Sequence, residues 1–197
     1  RRNKHSQVRD ITRTPNGPKS DKRQPTASLS ATCTSIREFD SAVTANNDSN
    51  TTATREPNRL AQMASAAMHK DDHFALHMGL DIEHSEAGAS RLSLTVREEM
   101  LNGHAICHGG TIFTLADTAL AHASNSYNVV SVAVSCAIEF VAPARLNDRL
   151  TATAEEQLKA GRNGVYDVRV VNQHDDLVAL FRGKTRAIGG SIVDDAE

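Results

Sequence analysis

Apolar residues recur along this chain at two different periods, and the changes of period mark out its elements. From Gly109 to Ala123, the residues Ile112, Phe113, Leu115, Ala116, Ala119, Leu120 and Ala123 reach most of the way round a helical wheel. That pattern predicts a long helix enclosed by other structure. On either side the period falls to two. Leu92, Leu94 and Val96 alternate with Ser93, Thr95 and Arg97 within GLDIEHSEAGASRLSLTVREEM, which predicts an antiparallel hairpin turning near Glu86-Ala87-Gly88. After the helix, Val130, Val132, Val134, Cys136, Ile138 and Phe140 alternate with smaller or polar neighbours, predicting a strand that Pro143 stops. Three more strands are expected near Asp148–Leu158, Gly164–Asn172 and Leu177–Ile188, parted by the turn-like KAGRNG and QHDD. Upstream, Leu60, Met63, Ala64, Ala67 and Met68 predict a helix of about three turns, with Asn58 a candidate cap. Six strands and one long apolar helix must share a core. The economical arrangement is an α+β fold in which one antiparallel sheet curls round the central helix.

Composition adds a boundary to this picture. Residues 1–57 are rich in Ser, Thr, Asn, Arg and Pro and sustain neither period, so a disordered N-terminal extension is expected there and one folded domain over 58–197. An organelle transit segment would also be Arg- and Ser-rich, but Asp10, Asp21 and the lack of an apolar helical face weigh against one. Charge divides the chain in nearly the same place. Residues 1–58 hold ten Lys+Arg against six Asp+Glu, net +4, and residues 59–197 hold twelve against eighteen, net −6, giving the total of −2. An acidic domain argues against a nucleic-acid surface, whose usual footprint is basic. There is no window of 18 apolar residues and no short apolar signal core, so no membrane partner is expected. Cys33, Cys107 and Cys136 form neither a CxxC pair nor an even disulfide set, which suits a reducing, cytoplasmic setting.

The chemistry concentrates in LNGHAICHGGTIFTLADTALAHASNS. Asp117 is the one Asp, Glu, Lys or Arg between Leu101 and Val134, and a carboxylate in so apolar a helix needs a partner or a task. Before the helix, His108-Gly109-Gly110 offers side-chain-free amides to an approaching ligand. The bland reading makes Asp117 a structural carboxylate and the glycines a packing device. A metal site from His104, Cys107, His108 and His122 fails on geometry, because His108 and His122 are a helical rise of roughly 21 Å apart. His73 and His77 lie four apart but lack a nearby third ligand, and read as surface histidines. Cys107 as nucleophile with His108 as base is disfavoured, since adjacent residues rarely reach one substrate atom. The remaining reading takes the helix start as an oxyanion hole and Asp117 as nucleophile or general base, with Asn102 contacting the attacking water or acyl group.

The run MLNGHAICHGGTIFTLADTALAHASNS resembles the central segment of the PaaI-type thioesterases, the phenylacetate-degradation branch of the hotdog-fold superfamily. The likeness continues through AIEFVAPARLNDRLTATA, GVYDVRVVNQ and VALFRGKTRAIGG, covering roughly Leu60 to Gly190. The resemblance implies a hotdog fold and hydrolysis of acyl-CoA thioesters, notably phenylacetyl-CoA and its hydroxylated relatives, without metal or redox cofactor. It places Asp117 as the catalytic carboxylate and Gly109 as the amide that polarises the thioester carbonyl. Asn102, His108 and Gly110 fall at supporting positions, and Ser135 is the nearest candidate for a contact from the strand after the helix. The rivals are a hotdog enoyl-CoA hydratase or dehydratase and a non-catalytic acyl-CoA-binding protein. A D-x-N-x-x-x-x-H arrangement for the former is absent, and a mere cleft has no use for a buried charge.

Spacing adds one expectation. Gly109 and Asp117 are eight residues apart, a rise of about 12 Å on one straight helix, so they cannot both act on one thioester within a subunit. Shared sites in a homodimer, or in a dimer of dimers, are therefore expected, and the resemblance implies the same.

Overall fold

The computed structural model describes residues 50–194. The expectation for the chain before residue 50 lies outside these residues. Three helices and six strands follow: α1 (Asn50–Asp71), α2 (His73–Met78), β1 (Asp81–Glu86), β2 (Ala89–Thr95), α3 (Gly109–Asn125), β3 (Ser131–Phe140), β4 (Arg149–Ala160), β5 (Asn163–Val171) and β6 (Leu177–Ala187). A 3₁₀ turn, Glu98–Met100, lies between β2 and α3. All strand pairs are antiparallel, in the order β1-β2-β4-β5-β6-β3. The sheet curls round α3, as the hydrophobic pattern predicts. Leu115, Ala116, Ala119, Leu120 and Ala123 of α3 are wholly buried against Leu92, Leu150, Ala152, Val168, Val170 and Phe181. The helix lies so close to β6 that a Cβ at Gly183 would collide with the Leu120 side chain. No helix among the described residues is long and apolar enough to cross a membrane.

The predicted upstream helix is longer than its pattern and is then broken. It starts at Asn50 and contains Pro57, which has no N–H to give to the carbonyl four residues back. It ends where Asp72 leaves helical geometry to cap α2, its Oδ1 accepting from the Ala75 N–H at 2.9 Å. Gly79, at φ 70°, closes α2 in the left-handed conformation. His73 and His77 are exposed on this short helix.

Polar clamps fix α3 in the sheet. The Ser90 hydroxyl donates to the Ala119 carbonyl at 2.7 Å, and the Gly88 N–H donates to Ser126 Oγ at 2.8 Å. Asn125 holds the first residue of β3 from both sides, accepting from the Ser131 N–H and donating to its carbonyl. That clamp sets β3 beside the helix. The strand differs from its predicted regular alternation, because its ladder with β6 slips between Ala133 and Ser135. As the sheet's last strand it also leaves Val132 43%, Val134 58% and Phe140 53% exposed.

Where α1 meets α3, Ser65 Oγ and His122 Nδ1 are hydrogen-bonded at 2.6 Å, both residues buried. Burial, helped by the neighbouring His69 and opposed by Asp72, pushes His122 down to about 4 from 6.5. The folded ring is thus neutral while the unfolded chain takes up a proton below pH 6.5, so stability drops as pH falls from 6.5 toward 4, by up to about 3 kcal/mol. Thermal midpoints recorded from pH 7.5 to 4.5 are expected to fall more steeply for the native chain than for His122→Gln. Parallel curves for the two would contradict this assignment.

Candidate active site

The start of α3 is built around His108. Its extended backbone (φ −63°, ψ 134°) ends the incoming loop, and its Nδ1 accepts the Gly110 N–H at 2.9 Å. With Nδ1 accepting, Nε2 is the ring nitrogen left to carry an N–H. The His108 carbonyl takes the Thr111 N–H at 2.9 Å and, more weakly, the Ile112 N–H at 3.4 Å. Of the first four amides, the N–H of Gly109 alone has no partner among the described residues. Gly109 lines a cavity of about 470 Å³ whose other walls are Asn102, Ile106, Cys107, Ile112 and the segment Phe140 to Pro143. Asn102 is held by its own turn, its Oδ1 accepting the His104 N–H at 2.8 Å. The Phe140 ring lies over Gly109, and a Cβ there would be 3.0 Å from Cζ. A second cavity of about 480 Å³, on the sheet face turned away from α3, holds none of the predicted site residues.

Asp117 stands two turns further along the same unbroken helix and does not line the first cavity. It is partly buried, and among the described residues its carboxylate has one hydrogen-bond donor, the Cys136 thiol on β3, Sγ to Oδ1 at 3.7 Å. Burial raises its pKa and the thiol lowers it, with a net rise. Cys107 is buried with its thiol against the His108 carbonyl, and burial pushes it up to about 11, so it offers no thiolate at neutral pH.

The structure thus brings Asn102 and Gly109 to one cavity, with His108 and Gly110 forming the cap beside it. Asp117 is kept apart by about 12 Å of helix. Ser135 is exposed on β3, and the strand residue that touches Asp117 is its neighbour Cys136. Alternation sets Cys136 and Ile138 on the apolar side of the strand, as found, and the slip in the ladder instead leaves Val132 and Val134 exposed. Among the described residues, this arrangement provides an unpartnered amide at an apolar cavity and, elsewhere on the helix, a half-buried carboxylate with no cation against it.

Comparison with known proteins follows the same line. Residues 104–179 match the thioesterase superfamily. Over 130 residues the chain is 46% identical to the acyl-coenzyme A thioesterase PaaI of Escherichia coli, covering 66% of this chain and 93% of that protein. The solved structure of E. coli PaaI, from the phenylacetic acid degradation operon, superposes with a TM-score of 0.67 at 44% identity, over 68% of this chain and 97% of that one. A Streptococcus mutans protein solved with acetyl CoA matches at a TM-score of 0.55 and 27% identity, over 57% of this chain and 90% of its own.

Proposed function

Because the chain belongs to the hotdog-fold thioesterase superfamily, in the branch of the PaaI acyl-CoA thioesterases, we propose that it hydrolyses aryl-acetyl-CoA thioesters in sites shared between two subunits. The acyl group enters the cavity beside α3, and the Gly109 N–H donates to the thioester oxygen as negative charge develops there. Asp117 of the partner subunit attacks the carbonyl carbon or draws a proton from the water that does so. One water is consumed. The carbon–sulfur bond breaks, and the products are the free acid and the CoA thiol. Asn102 orients the acyl group or the water, and His108 keeps the helix start in shape through Gly110. Ser135, exposed on β3, is proposed to reach substrate in the assembled site. No cofactor is called for.

The observation that carries this reading is the Gly109 amide, left without a partner at the wall of an apolar cavity. Sharing between subunits rests on the helical rise to Asp117. A surface for pairing is at hand, since Val132, Val134, Phe140 and Val141 lie exposed on and beside the edge strand β3. The assembly is a homodimer or a pair of such dimers. Release of free thiol, followed across aryl-, short- and long-chain CoA esters, tests the assignment. Phenylacetyl-CoA and its hydroxylated forms are expected to give a higher kcat/KM than palmitoyl-CoA. The reverse order would refute the acyl preference, and no thiol release from any ester would refute the activity.

A further inference from the structure

Asp117 is the charge on which the proposed reaction turns, yet the described residues bring no lysine, arginine or histidine into contact with it. Its one hydrogen-bond donor is a thiol. We propose that Cys136 is the positioning residue of the catalytic carboxylate, its S–H holding Oδ1 of Asp117 in place for attack on the thioester. The inference rests on the reading of Asp117 as catalytic.

Three features of the fold support it. Asn125 anchors the start of β3 to the end of α3, and past the slip between Ala133 and Ser135 the strand turns Cys136 toward the helix while Val134 and Ser135 stay exposed. The contact is therefore built by the strand's register. Second, the thiol is suited to donate and not to attack, because burial and the adjacent Asp117 push it up to about 11. It stays protonated throughout the neutral range. Third, burial favours the uncharged form of Asp117, and the Cys136 hydrogen bond is the one influence opposing it. Cys136 is the titratable group from β3 that faces the carboxylate, and α3 carries no other Asp, Glu, Lys or Arg.

The test compares the native chain with Cys136→Ala, Cys136→Val and Cys136→Ser. Two readouts are taken: the pH dependence of kcat/KM for phenylacetyl-CoA, and the ¹³C titration of the Asp117 carboxyl, identified by its loss in Asp117→Asn. Without the donor, in the Ala and Val variants, the Asp117 titration and the acid limb of the rate profile are expected to move up together by about half a pH unit, with turnover down about two- to tenfold. The Ser variant, which keeps a donor, restores both. Lower turnover with neither midpoint moved would reduce Cys136 to packing and overturn the inference. A carboxyl that titrates higher while the acid limb stays, or an Asp117→Asn variant with native turnover, would instead overturn the catalytic reading of Asp117.

Discussion

Replacing Asp117 with Asn is expected to remove at least about 99% of turnover while leaving the fold intact, a loss on the order of 10²-fold or more. The amide is nearly the shape of the carboxylate and keeps an oxygen to accept from the Cys136 thiol. Packing is therefore preserved. Lost are the negative charge and the basic lone pairs, which both candidate roles require. Because burial disfavours the ionised carboxylate, the neutral side chain should stabilise the folded chain slightly if it changes stability at all. Steady-state thiol release together with thermal midpoints checks both halves. Native turnover in this variant would sink the assignment of Asp117.

Much of the fold was legible because hydrophobic period is a local property. The all-round apolar helix, the β1–β2 hairpin and the three later strands are found within a few residues of where periodicity places them. The curled sheet round one helix followed from six strands and an enclosed helix that needed a shared core, and the resemblance to the PaaI-type thioesterases identified it as a hotdog fold. Less local features were not legible. Which strands pair depends on contacts distant in sequence, as in the ladder that sets β3 at the sheet's edge beside β6, from Ser131 opposite Ala187 to Phe140 opposite Ala179. The slip that leaves Val132 and Val134 exposed, against their predicted alternation, exists only in the ladder with β6. The break between α1 and α2 did leave a signal, Asp72 followed seven residues later by Gly79, that reads as a cap at each end of α2. In the site, the glycines and the lone carboxylate were apparent from composition. Their separation followed from helix geometry alone.

That separation yields the second large effect. Gly109→Pro is expected to lower turnover by about two to three orders of magnitude, the usual cost of an oxyanion donor, with little change in folding. The first helical position accepts proline, and His108 at ψ 134° already has the extended backbone that a following proline requires. The N–H removed is the one among the helix's first four that has no partner among the described residues. The ring comes against Phe140, whose Cζ lies 3.0 Å from a Cβ at this position, so that side chain must give by a few tenths of an ångström. The His108–Gly110 cap survives, because it uses neither atom that changes. A fully active proline variant would remove Gly109 from the mechanism.

The two variants together test the shared site. Differently tagged Asp117→Asn and Gly109→Pro subunits are co-expressed and the mixed dimer purified through both tags. Each homodimer is expected to be inactive. In the mixed dimer one site joins the intact Gly109 of the first subunit to the intact Asp117 of the second, while the other site collects both defects. Thiol release from phenylacetyl-CoA is therefore predicted to return to about half the native rate per dimer. A verified mixed dimer as inactive as its parents would contradict the account.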